Sequence, residues 1–551
     1  MYGLLGEKLG HSFSPQIHSM LGDYEYRLFE VKKNKLEEFI KHGDWNGINV
    51  TIPYKKEVMP YLDEISENAK KIGSVNTVVR RSDGTLFGDN TDYYGFYYTV
   101  KRSGINFGGK KVLVLGTGGA SLAVKAVIAD LGARETVSIS RSGENNYQNI
   151  KNHADADIIV NTTPVGMYPK NLVSPVKLTD FTHLTAVFDI IYNPQKTKLV
   201  LDAEKLDIPA FSGLSMLVAQ AKRASEIFFD RAIDDSITEK ILKKVSTDMK
   251  NIVLVGMPGS GKTSVGTFLA EKTGREFLDT DEESEHIGGT TPAAVIKKYG
   301  EKTFRKIENE AVCDLCKLSG KVIATGGGVV TNEDNFDAVR QNSVVVFINR
   351  DISVLPTDNR PLSQANSLED MYKFRLPLYR EFCDFEVDGN GTVEEVATEI
   401  LERIDGKMRK ILVINGPNIN MLGIREPKIY GKQNYKTLTD SIGEWAKELG
   451  CEVECFQSNH EGDIVDRIQK AYFDGTYGIV INPAAYTHTS VAILDALKAV
   501  GLPAVEIHIS DINEREAFRH ISYAGLACEE HYIGLGFEGY KKGMEYLVNR
   551  E

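Results

Sequence analysis

Residues 252–263 read Ile252-Val253-Leu254-Val255-Gly256-Met257-Pro258-Gly259-Ser260-Gly261-Lys262-Thr263. The first four are apolar and mostly β-branched, which predicts a short buried strand. The next eight fit G-x-x-x-x-G-K-[ST], and residues 264–272 predict a helix, the context this motif requires. Backbone N–H groups of Gly259, Ser260 and Gly261 can converge on phosphate oxygens at the positive end of that helix. Lys262 would reach the β/γ-phosphates of ATP, and Thr263 would hold Mg²⁺. A strand, a phosphate loop and a helix in succession set the fold class as α/β.

The same alternation extends in both directions. Short apolar runs at 111–115, 157–161, 344–348, 411–414 and 478–481 are separated by amphipathic helical stretches. This pattern predicts βαβ units and buried parallel sheets. Two charged, apolar-poor stretches, 243–250 and 405–410, read as linkers, and each ends at a strand. They divide the chain into residues 1–247, 249–406 and 408–551. The 551 residues suit that division, since a domain takes about 100–200 residues.

The chain is 42% hydrophobic and 26% charged, as ordinary globular protein is. Its formal net charge of -12, with no long Lys/Arg run, argues against a nucleic-acid or anionic-membrane partner. Six cysteines are too few for a disulfide scaffold in a chain this long. Cys313 and Cys316 form a C-x-x-C in a helical stretch, and Cys451 and Cys455 lie four apart. Reduced structural thiols are the reading, with a metal or redox site as the alternative. No apolar run approaches the roughly 18–20 residues of a membrane span. The opening residues lack a basic-then-apolar signal, so a soluble, cytoplasmic enzyme is expected.

The middle piece resembles the shikimate kinases along its length. The carrying motifs are Phe277-Leu278-Asp279-Thr280-Asp281, Gly300-Glu301-Lys302-Thr303-Phe304-Arg305, Gly326-Gly327-Gly328 and Asn359-Arg360-Pro361-Leu362. The resemblance implies that Asp279 assists Mg²⁺ and Asp281 accepts the hydrogen bond of the reacting hydroxyl. It makes Arg305 and Arg375 a clamp on the shikimate carboxylate. Gly327 and its neighbours let backbone approach the substrate ring, and Arg360 neutralises the transferring phosphoryl from a lid. One departure is that 355–359 supplies no second arginine before Arg360.

In the first piece, strand 111–115 is followed by Gly116-Thr117-Gly118-Gly119-Ala120 and a helix at 121–131. This glycine turn suits a pyrophosphate, with Gly116, Gly118, Gly119 and Ala120 around it, although Ser121 breaks a strict G-x-G-x-x-G. The next strand, 136–139, ends in Ser140-Arg141-Ser142. An arginine there suits a 2′-phosphate, which points to NADP rather than NAD. The piece resembles shikimate dehydrogenase from end to end, through His11-Ser12-Phe13-Ser14-Pro15, Asn49-Val50-Thr51-Ile52-Pro53-Tyr54-Lys55, Asn76-Thr77, Asn90-Thr91-Asp92 and Asn161-Thr162-Thr163-Pro164-Val165-Gly166-Met167. The resemblance implies two lobes for this piece, 1–100 with 217–247 and 101–216. It places Ser12 and Ser14 on the substrate carboxylate, with Thr51, Asn76, Tyr192 and Gln220 also at the substrate. Thr162, Gly213 and Met216 fall on the cofactor side. Lys55 and Asp92 form the proton-handling pair. Ser212 stands where the family usually has Asn.

The last piece resembles the type II 3-dehydroquinate dehydratases. Its motifs are Asn415-Gly416-Pro417-Asn418, Arg425-Glu426-Pro427, Tyr430-Gly431, Asn482-Pro483-Ala484-Ala485, Tyr486-Thr487-His488, Glu506-Ile507-His508-Ile509-Ser510 and Arg519-His520. Tyr430 is assigned as the base that starts an enolate route, and Arg425 as its activating cation, since free Tyr has a pKa of about 10. His508 is the proton donor, oriented by Glu506. Asn418 supports the enolate through water. Asn482, His488, Asp495, Arg519 and the backbone N–H groups of Ile509 and Ser510 hold substrate. Ala484 and Asp511 stand where the family usually has Gly and Asn.

The resulting expectation is three α/β domains: a two-lobed dehydrogenase with a Rossmann-like NADP lobe, a P-loop kinase and a flavodoxin-like dehydratase. Together they would convert 3-dehydroquinate to 3-dehydroshikimate, reduce that to shikimate with NADPH, and phosphorylate shikimate with ATP. The relatives of the last piece suggest a homo-oligomer formed through it. The competing reading is a non-catalytic sensor descended from these enzymes. A sensor needs binding residues but not Lys55, Asp92, Lys262, Asp281, Arg425, Tyr430 and His508, all of which are present.

Overall fold

The computed structural model describes residues 1–10, 12–355, 368–404, 409–424, 434–512 and 516–550. The predicted site residues Arg360, Arg425 and Tyr430 lie outside the described residues. The chain forms two compact units, Met1–Ile400 and Leu401–Glu551.

The first sheet comprises β1 (Tyr2–Gly6), β2 (Tyr26–Glu30), β3 (Gly47–Val50), β4 (Glu64–Ile65), β5 (Thr77–Arg80) and β6 (Leu86–Asp89), in the order β2-β1-β3-β5-β6-β4. It corrects the expectation of parallel sheets throughout. β5 pairs antiparallel with both β3 and β6. A short Asp83-Gly84 turn joins β5 to β6, which leaves no room for a crossover helix.

The second sheet is parallel throughout. It contains β7 (Lys111–Leu115), β8 (Glu135–Ile139), β9 (Ile158–Asn161), β10 (Ala186–Asp189) and β11 (Ala210–Phe211), ordered β11-β10-β9-β7-β8. Every residue of β7, β9 and β10 is buried, as a strand covered by helices on both faces must be. Helices Thr91–Ser103 and Leu214–Phe229 run side by side between the two sheets.

The third sheet is also parallel: β12 (Asn251–Val255), β13 (Phe277–Asp279), β14 (Val322–Ala324), β15 (Ser343–Asn349) and β16 (Phe385–Asp388), ordered β13-β14-β12-β15-β16. The phosphate loop leaves the C-terminal end of its central strand, where open α/β sheets place ligands.

Residues 243–250, read as a charged linker, are instead mostly the end of helix Asp235–Met249. Lys243, Lys244 and Asp248 occupy its outer side. Val245 and Met249, four apart, are buried with Ile17, Leu21, Ile241 and Leu242. Only Lys250 separates this helix from β12. Polar contacts reinforce the junction. Asn171 Nδ2 donates to Gln341 Oε1, and Gln341 Nε2 returns a bond to Asn171 O at 3.0 Å. Lys198 and Lys205 both pair with Asp337, at 3.1 and 2.7 Å.

The second unit holds β17 (Lys410–Asn415), β18 (Glu452–Gln457), β19 (Thr476–Asn482), β20 (Ala504–His508) and β21 (Glu530–Ile533). Their order, β18-β17-β19-β20-β21, is the flavodoxin-like 2-1-3-4-5 arrangement, with all pairs parallel. Apolar clusters cover both faces, one around Leu438, Ile442 and Tyr540 and the other around Ile464, Ile468 and Leu497.

Candidate active sites

Ser12, Ser14, Thr51, Lys55, Asn76, Tyr192 and Gln220 line one cavity of about 170 Å³ in the first lobe. Lys55 Nζ lies 2.5 Å from Asp92 Oδ2. Asp92 sits in the first turn of helix Thr91–Ser103, where the helix end favours a negative charge. Its other oxygen accepts from Asn76 Nδ2 at 2.9 Å, and Asn76 Oδ1 accepts from the Thr91 backbone N–H at 2.7 Å. The amide orientation of Asn76 is thereby fixed. His18 also lines the cavity and was missed in the sequence. It stacks on Tyr26 with centroids 3.8 Å apart, and burial holds its pKa down at about 3. His18 is therefore a neutral wall of the cavity at physiological pH.

In the second lobe, helix Gly119–Asp130 begins directly after the glycine turn, with Gly118 at its N-cap. Space is open beside Gly118 and Gly119, so a pyrophosphate can approach their N–H groups. Ala120 is in the first turn of this helix. Gly116 leaves β7, and Thr162 Oγ1 donates to Leu115 O at 2.7 Å beside it. Ser140 Oγ accepts from Gly143 N at 2.7 Å, and Arg141 beyond it is exposed. Gly213 caps helix Leu214–Phe229, in which Met216 is buried. These positions fit a dinucleotide carrying a 2′-phosphate.

Asp189, at the end of β10, accepts from Thr197 Oγ1 at 2.7 Å, Ile191 N at 3.0 Å and Asn161 Nδ2 at 3.1 Å. Burial outweighs these bonds and pushes its pKa up to about 6. A raised carboxyl contributes stability below its unfolded value, near 3.9, that is lost as pH rises through about 6. We expect the dehydrogenase segment of the parent chain to lose about 2–3 kcal/mol of stability from this group between pH 4 and 7. Asp189→Asn should flatten that window, read as the pH dependence of thermal inactivation of the dehydrogenase. An unchanged slope would refute it.

The kinase cavity, about 710 Å³, brings together Gly259, Gly261, Lys262, Thr263, Asp279, Asp281, Arg305, Gly327 and Arg375. Ser260 is buried in the same loop. Thr263 Oγ1 donates to Asp279 Oδ2 at 3.3 Å, so two oxygen donors suited to Mg²⁺ are adjacent. Each glycine of Gly326-Gly327-Gly328 has its own reason. A β-carbon at Gly326 would lie 2.6 Å from Asp281 Oδ1, one at Gly327 2.6 Å from Pro258 Cδ, and one at Gly328 2.1 Å from Arg305 Nη1. Arg375 Nη1 and Tyr379 OH both donate to Gly327 O, at 2.9 and 2.5 Å. Glu308, missed in the sequence, is buried 2.7 Å from Arg305. Burial pushes its carboxyl up, against the pull of Arg305.

In the second unit, Asn418, Asn482, His488, His508, Ile509, Ser510 and Arg519 line a cavity of about 140 Å³. His508 Nε2 lies 3.2 Å from Glu506 Oε1, without good hydrogen-bond alignment. Ser522 Oγ donates to the same oxygen at 2.6 Å, and His531 Nδ1 lies 3.1 Å from Oε2. Burial alone would raise Glu506, but His508, Ser522 and His531 outweigh it and hold the carboxyl below its ordinary value. His531 carried no sequence signal. Asp495 is exposed on helix Val491–Val500, outside the lining of this cavity. Its neighbours Ile493, Leu494, Ala496 and Leu497 take the buried face of that helix. Asp511 is also outside the cavity lining, packed over Gly534.

Asn418 and Ala484 have φ of 66° and 54°. Asn tolerates this left-handed region, but Ala does not, so the family's usual glycine has a physical reason at position 484. Ala484→Gly should stabilise the dehydratase by about 1 kcal/mol, raising its thermal inactivation midpoint by about 3 °C. An unchanged or lower midpoint would show that the backbone there is not strained.

A dinucleotide-type turn beside a Lys/Asp cavity, a P-loop cavity and a flavodoxin-like sheet with a His/Glu cavity define a chain of three small-molecule α/β enzyme units. Comparison with known proteins assigns each. Residues 4–78 match the shikimate dehydrogenase substrate binding domain model, 258–405 the shikimate kinase model and 409–548 the class II dehydroquinase model. The shikimate dehydrogenase (NADP(+)) of Clostridium beijerinckii is 39% identical over 269 residues, covering 45% of this chain and 99% of that protein. The 3-dehydroquinate dehydratase of Lachnospira eligens is 55% identical over 141 residues, 25% of this chain and 96% of that protein. A crystal structure of a chorismate mutase/shikimate 5-dehydrogenase fusion protein from Clostridium acetobutylicum is 40% identical, covers 44% of this chain and 96% of its own, and has a TM-score of 0.43. The chain belongs to the shikimate dehydrogenase family over its first segment and the type II dehydroquinase family over its last, and its middle segment matches the shikimate kinase model. Among the described residues, no helix is long and apolar enough to cross a membrane.

Proposed function

We propose that this chain is a trifunctional enzyme of the shikimate pathway. The last segment dehydrates 3-dehydroquinate, the first reduces the resulting 3-dehydroshikimate, and the middle phosphorylates shikimate. The observation that supports this reading is that each of the three segments carries its own cavity lined by polar and charged residues of the predicted sites. The best-defined contact is the Lys55–Asp92 pair at 2.5 Å beside a polar pocket.

In the dehydrogenase, NADPH when bound supplies the hydride. Lys55 donates to the carbonyl oxygen as it gains negative charge, and Asp92 holds that ammonium in place. Ser12 and Ser14 receive the substrate carboxylate. In the kinase, Asp281 accepts the hydrogen bond of the shikimate hydroxyl, and Arg305 and Arg375 hold its carboxylate. Lys262 and the loop N–H groups carry the nucleotide phosphates, with Thr263 and Asp279 beside Mg²⁺. In the dehydratase, Tyr430, activated by Arg425, takes the C–H proton. His508, held by Glu506, then protonates the departing hydroxyl. His488, Asn482, Arg519 and the Ile509 and Ser510 amides hold substrate. We also propose that the enzyme is cytoplasmic and oligomerises through its last segment, so that Asp495 would serve a cavity only from a second copy.

The test is a coupled assay. Adding 3-dehydroquinate to the purified chain with NADPH should consume NADPH, and adding ATP should then yield ADP. NADPH consumption with 3-dehydroshikimate but not with 3-dehydroquinate would show an inactive last segment. No turnover in any step would favour the non-catalytic reading.

A further inference from the structure

Three of the cations lining the kinase cavity already hold protein partners. Lys262 Nζ donates to Gly256 O and Met257 O, both at 2.9 Å. Arg305 pairs with Glu308 at 2.7 Å and Glu301 at 2.9 Å. Arg375 donates to Gly327 O at 2.9 Å. Arg350 differs. It follows directly on β15, lines the same cavity and is half-buried. Its Nε is buried without a hydrogen-bond partner, and it makes no ion pair among the described residues.

The position of Arg350 says what it faces. A β-carbon built on Gly261 would lie 3.9 Å from Arg350 Nη1, and one built on Gly389 would lie 3.2 Å from Arg350 Cβ. The side chain therefore starts beside the turn after β16 and brings its guanidinium end to the phosphate loop. Gly261 immediately precedes Lys262, at the N-terminus of helix Lys262–Thr273, where a nucleotide's phosphates lie in a P-loop protein. A guanidinium end standing beside the phosphate loop is a charge-assisted donor matched to phosphate oxygens. Residues 351–359 contain neither Arg nor Lys, so no other cation stands between this position and Arg360.

We propose that Arg350 is a nucleotide-binding residue of the kinase, donating to phosphate oxygens of ATP that lie over Gly261. The proposal rests on the kinase reading above. It gives the chain a fixed cation on the end of a strand, where residues 355–359 offer none.

The test is a titration of the full chain with a fluorescent N-methylanthraniloyl ATP, without shikimate, in the parent and in Arg350→Gln and Arg350→Lys. Removing a charged donor from a phosphate should weaken binding about tenfold or more in Arg350→Gln, with Arg350→Lys intermediate. The KM for ATP should rise in parallel, while the KM for shikimate stays within about twofold. Dehydrogenase and dehydratase rates in the same chain report folding. If Arg350→Gln loses dehydrogenase activity through misfolding, Arg350→Lys decides by the same titration. Unchanged ATP binding in a folded variant, or an equal rise in both KM values, would overturn the proposal. A parent chain that binds the nucleotide but never transfers phosphate to shikimate would instead refute the kinase reading.

Discussion

Lys55→Met should lower the turnover of 3-dehydroshikimate with NADPH by about 10³-fold, while kinase and dehydratase rates in the same chain stay near parental. The carbonyl oxygen gains a full negative charge as hydride arrives. A proton donor positioned at that oxygen supplies about 10²–10⁴ in rate, and Lys55 is the only cationic side chain lining this cavity among the described residues. Its neighbour explains why a methionine of similar length leaves the pocket's shape but not its chemistry. Asp92 is buried, with one oxygen on Lys55 at 2.5 Å and the other on Asn76 at 2.9 Å. Removing the ammonium leaves that carboxylate unpaired. Substrate binding should suffer less than turnover, because Ser12, Ser14, Asn76 and Gln220 remain. Kinetics with saturating NADPH separate the two effects. A variant within tenfold of parental kcat would sink the assignment of Lys55 as the proton donor.

Much of this architecture was legible because the β-rich α/β pattern is local. Apolar runs such as Leu412-Val413-Ile414 have no polar residue to place on a wet face, so they predict strands buried on both sides. β7, β12 and β17 each lie inside a parallel sheet. What failed to be legible depends on contacts far apart in sequence. The antiparallel β5–β6 pair sits among parallel strands, and only the Asp83-Gly84 turn between them hints at it. Residues 243–250 carry linker-like charge, yet Val245 and Met249 at helical spacing are what the helix buries. The same holds for the sites. Lys55, Asp92, His508 and Glu506 were found because their motifs are contiguous. Glu308, His18 and His531 reach the cavities through contacts that only folding supplies, and Arg350 through its place at the end of β15. Asp495 was singled out in the sequence as a substrate residue, and it sits on the exposed face of its helix, outside the lining of its own chain's cavity. Ala484 belongs to both groups, since its departure from glycine was visible in the sequence but its cost needs the backbone angle.

Glu506→Gln should cut the turnover of 3-dehydroquinate by about 10²–10³-fold, nearly as far as His508→Ala, with KM changed by only a few fold. Buried Glu506 has three groups around its carboxylate, His508 Nε2 at 3.2 Å, Ser522 Oγ at 2.6 Å and His531 Nδ1 at 3.1 Å. A glutamine fills the same space. It cannot pair with a protonated imidazole, and its NH₂ group must point at Ser522 or at a histidine nitrogen. The ring proposed to protonate the departing hydroxyl thus loses both its counter-charge and its orientation, while His488, Asn482 and Arg519 still line the cavity. A second readout tests the charge alone. Because the carboxyl is held below its ordinary value, Glu506 contributes stability that is present above its unfolded value, near 4.3, and is lost as pH falls through the folded one. Acid inactivation of the dehydratase should therefore be shallower in Glu506→Gln than in the parent. Turnover within fivefold of parental, together with an unchanged acid limb, would mean that the carboxylate neither orients nor charges His508, and that the proton for the leaving hydroxyl comes from another group.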